Sequence, residues 1–437
     1  MKEDVSTPLS LSAKALRTEE QPISFLITTA LHNPGLINLA AGLVDPLTLP
    51  VEECATISQR LFSDQSRARS ALQYDTTLGL RDLRGQLLKH IAEVEGISAS
   101  QLGYTADQIL ITTGSQQALY LVGDVLLNPG DIVIAANPSY FVYTGTLASL
   151  EANVIPVPMD QDGMDVDAVE QALARLQSEG KLSRVKLVYC TTYFDNPTGL
   201  TLSLERRRRL LEIVQRYSTR HRILIHEDAA YRELRYDGDS LPSIKSMDRA
   251  NRHTILSHTF SKPFAPGIKL GYSAMPTDLL DAVLQQKGNH DFGSANLCQA
   301  IALEAMRSGM YQEHVKVLCG SYRKKRDAML AALTRHMPRQ RGLFWTEPHG
   351  GLYVWLTLPR EIDTSRDSRM FQRCVAEGVL YVPGNYCFVP DEKGEVPTNH
   401  LRLSFGQVAP DKIEPGIERL AKVVKELSAL NAPISVA

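Results

Sequence analysis

From Ile132 onward, short apolar runs alternate with longer amphipathic stretches, and this alternation limits the chain to few folds. Residues 132–135, 185–190 and 223–225 are short and apolar and read as strands. Residues 204–214 carry apolar side chains at helical spacing and read as the helix between two of them. Alternation of this kind favours a largely parallel sheet with helices on both faces. In such a sheet ligands bind beyond the carboxyl ends of the strands, so the residues that follow each strand are the ones to inspect.

The flanking segments fit around that unit. Leu80, Leu83, Leu87 and Ile91 recur at helical spacing, and a second helix is expected to begin near Ser115 and carry Ala118, Leu119, Val122, Val125 and Leu126. Asn128-Pro129-Gly130-Asp131 reads as a turn. The opening stretch to about Pro50 is rich in Pro, Ser and Thr and reads as an irregular arm. From about Cys319 an amphipathic helix over 322–336 opens a segment with strand-like runs at 353–356 and 401–405. A length of 437 residues suits two packed lobes. The expected division is an arm and the start of a small domain over 1–60, a large domain over 61–318, and a small α+β domain over 319–437.

Bulk properties exclude several classes. The net charge of −2 gives no general attraction to nucleic acid or to an anionic membrane. The basic run Arg206–Arg209 reads as the solvated face of a helix, not as a nucleic-acid patch. No apolar run approaches the roughly 20 residues that span a bilayer, and the N-terminus lacks the pattern of a signal peptide. The six cysteines are scattered without a CxxC pair, so reduced, mostly buried thiols are expected, with no metal site and a cytoplasmic location.

Four segments carry candidate chemistry. Asp228 follows an apolar strand in His226-Glu227-Asp228-Ala229-Ala230-Tyr231, where a carboxylate needs a partner or caps the next helix. Asn196-Pro197-Thr198-Gly199 follows another strand and by itself reads as a turn. Thr113-Gly114-Ser115-Gln116 opens a helix whose free N–H groups suit a phosphate, although Ser115 also reads as an ordinary cap. The most specific segment runs from Thr259 through Ser261, Lys262 and Lys269 to Tyr272. Two hydroxyls flank Lys262, and a second cation follows at Lys269. A lysine amine attacks an aldehyde well only when desolvation or nearby cations depress its pKa. The hydroxyls and the second cation suit an anion held close by, so the loop fits an aldehyde that carries a phosphate.

In this order the segments resemble the fold-type I aminotransferases of the aspartate-aminotransferase superfamily, class I/II, over about residues 38–406. The likeness is strongest to the aminoadipate, kynurenine and multi-substrate branch. The resemblance implies a pyridoxal 5'-phosphate enzyme that moves an amino group from an α-amino acid to a 2-oxo acid by ping-pong chemistry. It implies Lys262 as the lysine joined to the cofactor as an imine and as the carrier of the Cα proton. Asp228 would hold the pyridinium nitrogen, and Asn196 and Tyr231 would bond the phenolic oxygen. Tyr140 would stack on one face of the ring and Ala230 would fill the other, with Phe141 and Tyr143 close by in sequence. Ser115, Gln116, Thr259, Ser261 and Lys269 would surround the phosphate, together with Tyr74 reaching across from the partner of a homodimer. Arg402 would grip the substrate carboxylate, with Asn196 and a backbone contact from Gly42 beside it.

The chain departs from the family in two places. Lys269 stands where arginine is usual, and Asp195 stands where glutamine or histidine commonly precedes the asparagine. The second departure places an extra carboxylate near the site and would disfavour acidic substrates. Two other readings keep the fold: a β-lyase or cyclising enzyme with the same cofactor, and a non-catalytic ligand-sensing relative. The short arm before the fold leaves no room for a DNA-binding domain of the kind such regulators carry.

Overall fold

A computed structural model describes residues 9–18, 20–391 and 393–430. The stretch read for a leader begins in residues 1–8, outside those described. Eight strands form the central sheet, in the spatial order Ile109–Thr112, Gly271–Ala274, Thr254–Thr259, Leu224–Asp228, Val185–Thr191, Ile132–Asn137, Asn153–Asp160 and Gly163–Met164. The five from Thr254–Thr259 to Asn153–Asp160 pair in parallel, and Gly271–Ala274 runs antiparallel to both of its neighbours. Ile109–Thr112 and Thr254–Thr259 are buried along their whole length, as strands covered on both faces must be. The helices Gly114–Leu126 and Thr277–His290 cover one face through Leu119, Val122, Leu280 and Val283. Val166–Ser178 and Leu204–Tyr217 cover the other through Leu173, Leu210 and Val214.

A second, antiparallel sheet joins Phe344–Trp345, Tyr353–Thr357, His400–Ser404 and Val382–Pro383. The expected helix over 322–336 is the second half of a longer one, Met310–His336, which packs against the terminal helix Pro410–Leu430. Among the described residues no helix is long and apolar enough to cross a membrane.

The structure corrects three readings. The N-terminal stretch is not all irregular: Pro22–His32 is helical, and Ile37–Asn38 pairs in parallel with Val379–Leu380. Proline is harmless at the first turn of that helix, where its missing N–H has no partner to lose. The run Arg206–Arg209 is not wholly solvated either. Arg207 is fully buried and donates to the carbonyls of Leu202, Pro242 and Thr192, with its guanidinium 4.1 Å from the centroid of the Tyr193 ring. Of the six cysteines, all free, Cys190, Cys374 and Cys387 are buried, and the other three are only partly covered.

Candidate active site

The carboxyl ends of the parallel strands open on a cavity of about 180 Å³. Its wall contains Ser115, Gln116, Tyr140, Asn196, Asp228, Ala230, Tyr231, Thr259, Ser261, Lys262 and Lys269. Eleven residues expected from the sequence thus meet at one place, joined by Thr113, Gly114 and Thr191. A larger hollow of about 980 Å³ elsewhere, near Glu95, Arg232 and Cys319, contains none of the eleven.

At one end of the cavity lie groups suited to an anion. Gly114, at φ +72°, turns the chain from strand Ile109–Thr112 into helix Gly114–Leu126. The N-cap of that helix is Thr113, whose side chain makes no capping bond, while Ser115 stands inside the first turn. Ordinary capping by Ser115 is therefore not what the chain uses, and the leading N–H groups keep their donor capacity. Gly271 permits the close fit behind this turn, because a Cβ there would lie 2.7 Å from the Ser115 nitrogen. Thr259 and Ser261 hydroxyls lie 3.0 Å apart, and the Ser261 N–H donates to Thr259 Oγ1. Lys269 holds φ +51°, a conformation uncommon for a residue with a side chain and often found at ligand sites.

Asp228 ends its strand, one residue deeper than a loop position would be. Its Oδ1 accepts from the Ala230 N–H at 3.1 Å and its Oδ2 from the Tyr189 hydroxyl at 3.1 Å. Burial pushes its carboxyl up to about 6, although both hydrogen bonds pull the other way. A cation beside it would favour the charged form. Lys262 Nζ donates to the Gly42 carbonyl at 2.7 Å. Burial holds this ammonium below the ordinary lysine range; the Tyr353 phenol opposes that shift, and Arg402 and Lys269 add to it. An amine so destabilised in its charged form is poised to act as a nucleophile.

Arg402 lies on the antiparallel sheet and, like Gly42, does not itself line the cavity; each is bonded to a residue that does, Arg402 to Asn196 and Gly42 to Lys262. Arg402 is 2% exposed, donates to Asn196 Oδ1 at 2.7 Å and to the Ala40 carbonyl at 3.0 Å, and leaves its Nε buried without a partner. Tyr140 is the ring on the cavity wall, whereas Phe141 and Tyr143 are buried, Tyr143 against Tyr189 at a centroid distance of 4.4 Å. Asp195 does not project a free charge into the site. Its Oδ2 accepts from both the N–H and the hydroxyl of Thr198, and it does not line the cavity. Tyr74 does not line the cavity; it is 81% exposed and meets Phe292 edge-on.

Besides Thr191, two residues at the site had no signal in the sequence. Tyr189 reaches Asp228 from the neighbouring strand. Tyr353 brings its hydroxyl 3.0 Å from that of Tyr231. A Cβ on residue 42 would lie 2.5 Å from the Tyr353 hydroxyl, which accounts for glycine there.

The donor set fits pyridoxal phosphate: hydroxyls, a helix N-terminus and a lysine for the phosphate, a carboxylate for a ring nitrogen, and a desolvated amine for an aldehyde. Comparison with known proteins agrees. The family model for aminotransferase class I and II matches residues 18–420. The aromatic-amino-acid aminotransferase 1 of Thermococcus litoralis is 38% identical, over 95% of this chain and 94% of its own. The crystal structure of a multiple substrate aminotransferase from Thermococcus profundus superposes with a TM-score of 0.87 at 37% identity, covering 96% of this chain and 98% of that one. An α-aminoadipate aminotransferase from Thermus thermophilus, solved with N-(5'-phosphopyridoxyl)-L-leucine, gives 0.81 at 32% identity, with 96% and 98% covered. The chain belongs to the class I and II aminotransferases, enzymes that work with pyridoxal phosphate.

Proposed function

We propose that this cavity transfers an amino group from an α-amino acid to a 2-oxo acid, with Lys262 as the residue that both carries the cofactor and moves the proton. The observation behind the reading is the convergence of Lys262, Asp228 and Lys269 on one cavity, with Arg402 of the second sheet bonded to Asn196 on its wall. When bound, pyridoxal phosphate supplies an aldehyde carbon for the amino group and a ring that accepts the electron pair left on Cα. Lys262 Nζ would hold the cofactor through that aldehyde and is placed to take the Cα proton of a bound amino acid. Asp228 keeps the ring nitrogen protonated, while Asn196 and Tyr231 bond the phenolic oxygen. Tyr140 and Ala230 enclose the ring. Ser115, Gln116, Thr259, Ser261 and Lys269 hold the phosphate. Arg402 takes the substrate carboxylate in its planar fork and so fixes the orientation of the Cα–H bond, with Gly42 beside it. The test is a single turnover of loaded enzyme with an amino acid and no oxo acid. One 2-oxo acid per site and no ammonia is expected; ammonia or a cyclised product would establish elimination or cyclisation instead.

The phosphate assignment has its own test. Lys269→Arg should retain the cofactor about as well as wild type, because either side chain supplies the cation, whereas Lys269→Ala should weaken retention. Equilibrium dialysis of the three loaded proteins decides. Equal retention in the alanine variant would leave the phosphate to the helix N-terminus alone.

The reading extends to assembly. We propose a cytoplasmic homodimer in which Tyr74 completes the phosphate site of the partner. Tyr74 and Phe292 form a pair of exposed rings, 81% and 60% accessible, of the kind a second subunit covers. Free thiols suit a reducing compartment. Sedimentation at micromolar concentration should show a dimer, and an active monomer would contradict the role of Tyr74. The division into an arm and the start of the small domain over 1–60, a large domain over 61–318 and a small domain over 319–437 is proposed on the same footing. The eight-stranded sheet falls within the first range and the antiparallel sheet within the second.

A further inference from the structure

Tyr353 stands where three parts of the site meet. It opens the strand Tyr353–Thr357, is 2% exposed, and packs edge-on against Tyr231 with ring centroids 5.6 Å apart. The Arg402 guanidinium lies 4.3 Å from the centroid of its ring. Its hydroxyl lies over Gly42, whose carbonyl accepts from Lys262, and is 3.0 Å from the Tyr231 hydroxyl.

We propose that Tyr353 is a positioning residue that acts through Tyr231, donating its hydroxyl proton so that the single proton of Tyr231 is committed to the phenolic oxygen of the cofactor. The proposal rests on the reading of Tyr231 given above. A phenol carries one proton. If that of Tyr231 is spent on the cofactor, the bond between the two tyrosines must be donated by Tyr353. A hydroxyl that accepts one hydrogen bond donates a stronger one, more so in a buried site. Burial holds the Tyr231 phenol protonated, far above its ordinary range, so the proton is present to be donated at any working pH. The charged and titratable groups around the pair are Tyr140, Arg402 and Lys262, with Lys269 and Asp228 further along the cavity.

The consequence is measurable without turnover. A donor on the phenolic oxygen stabilises its anionic form, so the proton this oxygen shares with the nitrogen of Lys262 leaves at lower pH. The visible absorption of the loaded enzyme titrates with that proton. Tyr353→Phe keeps the ring and loses the hydroxyl, and should raise the titration midpoint by about half a pH unit, a fraction of what one hydrogen bond contributes. Tyr231→Phe should raise it further, and the double variant should match Tyr231→Phe alone. The thermal midpoint of Tyr353→Phe should stay near wild type, since a packing role would move that quantity and not the titration.

If Tyr231→Phe shifts the midpoint and Tyr353→Phe does not, the proposal falls and the reading of Tyr231 stands. If Tyr231→Phe shifts nothing, both fall. Additive shifts in the double variant would mean that Tyr353 acts by another route, which also overturns the proposal.

Discussion

Lys262→Ala is expected to lower turnover by about 10⁴-fold, the upper end of what a positioned proton carrier contributes. The loss has two sources in the geometry. The amine is buried, its charged form is disfavoured, and Arg402 and Lys269 reinforce that, so no solvent-exposed lysine is equally ready to join an aldehyde. The same nitrogen is the base proposed to take the Cα proton. Alanine should leave the fold intact, since among the described residues the side chain makes a single hydrogen bond, to Gly42. Borohydride reduction of loaded wild-type enzyme followed by peptide mapping checks the assignment directly. A phosphopyridoxyl group on any other lysine would defeat it.

Asp228→Ala should lower turnover by about 10²-fold or more, the scale of a preorganised electrostatic stabiliser. Stability should move differently. Burial pushes the Asp228 carboxyl up to about 6, so near neutral pH the cofactor-free protein holds a largely ionised carboxylate with two hydrogen bonds and, among the described residues, no ion pair. Its folded pKa is raised, so ionisation disfavours the folded chain as pH rises through that value. Removing it should leave the thermal midpoint of the cofactor-free protein unchanged or higher, although Tyr189 loses its acceptor. Kinetics and thermal unfolding of the variant test both halves, and near-wild-type turnover would remove Asp228 from the site.

Much of this was legible because it is local. Lys262 announces itself through hydroxyls and a second cation within one loop, and Asp228 through the apolar strand that precedes it. Three of the five parallel strands were visible for the same reason, as short apolar runs between helical patterns, whereas Asn153–Asp160, broken by two prolines, and Thr254–Thr259, rich in polar side chains, were not read. What failed was what depends on partners far along the chain. Tyr231 and Tyr353 are 122 residues apart, and Tyr189 and Asp228 are 39 apart, so no spacing rule links them. Arg207 shows a different limit. Four consecutive helical residues step around the axis by about 100° each, so a run of arginines cannot all face solvent on a half-buried helix. Arg207 is the one turned inward, where three carbonyls and the Tyr193 ring receive it. The helix Pro22–His32 was hidden by Ile23, Ile27, Thr28 and Thr29, β-branched residues that favour strands, and by the shallow burial that leaves Leu26 alone fully covered.

The setting of Arg402 bears on the entropy of substrate binding. A free arginine side chain gives up several rotatable bonds when a carboxylate captures it, and that loss subtracts from affinity. Here Asn196, the Ala40 carbonyl and the Tyr353 ring already hold the fork within the folded chain. The ordering cost has been met during folding, and a carboxylate captured as proposed need only replace existing partners. Such a fork behaves as part of the scaffold, so its binding free energy is left to orient the bond that must break.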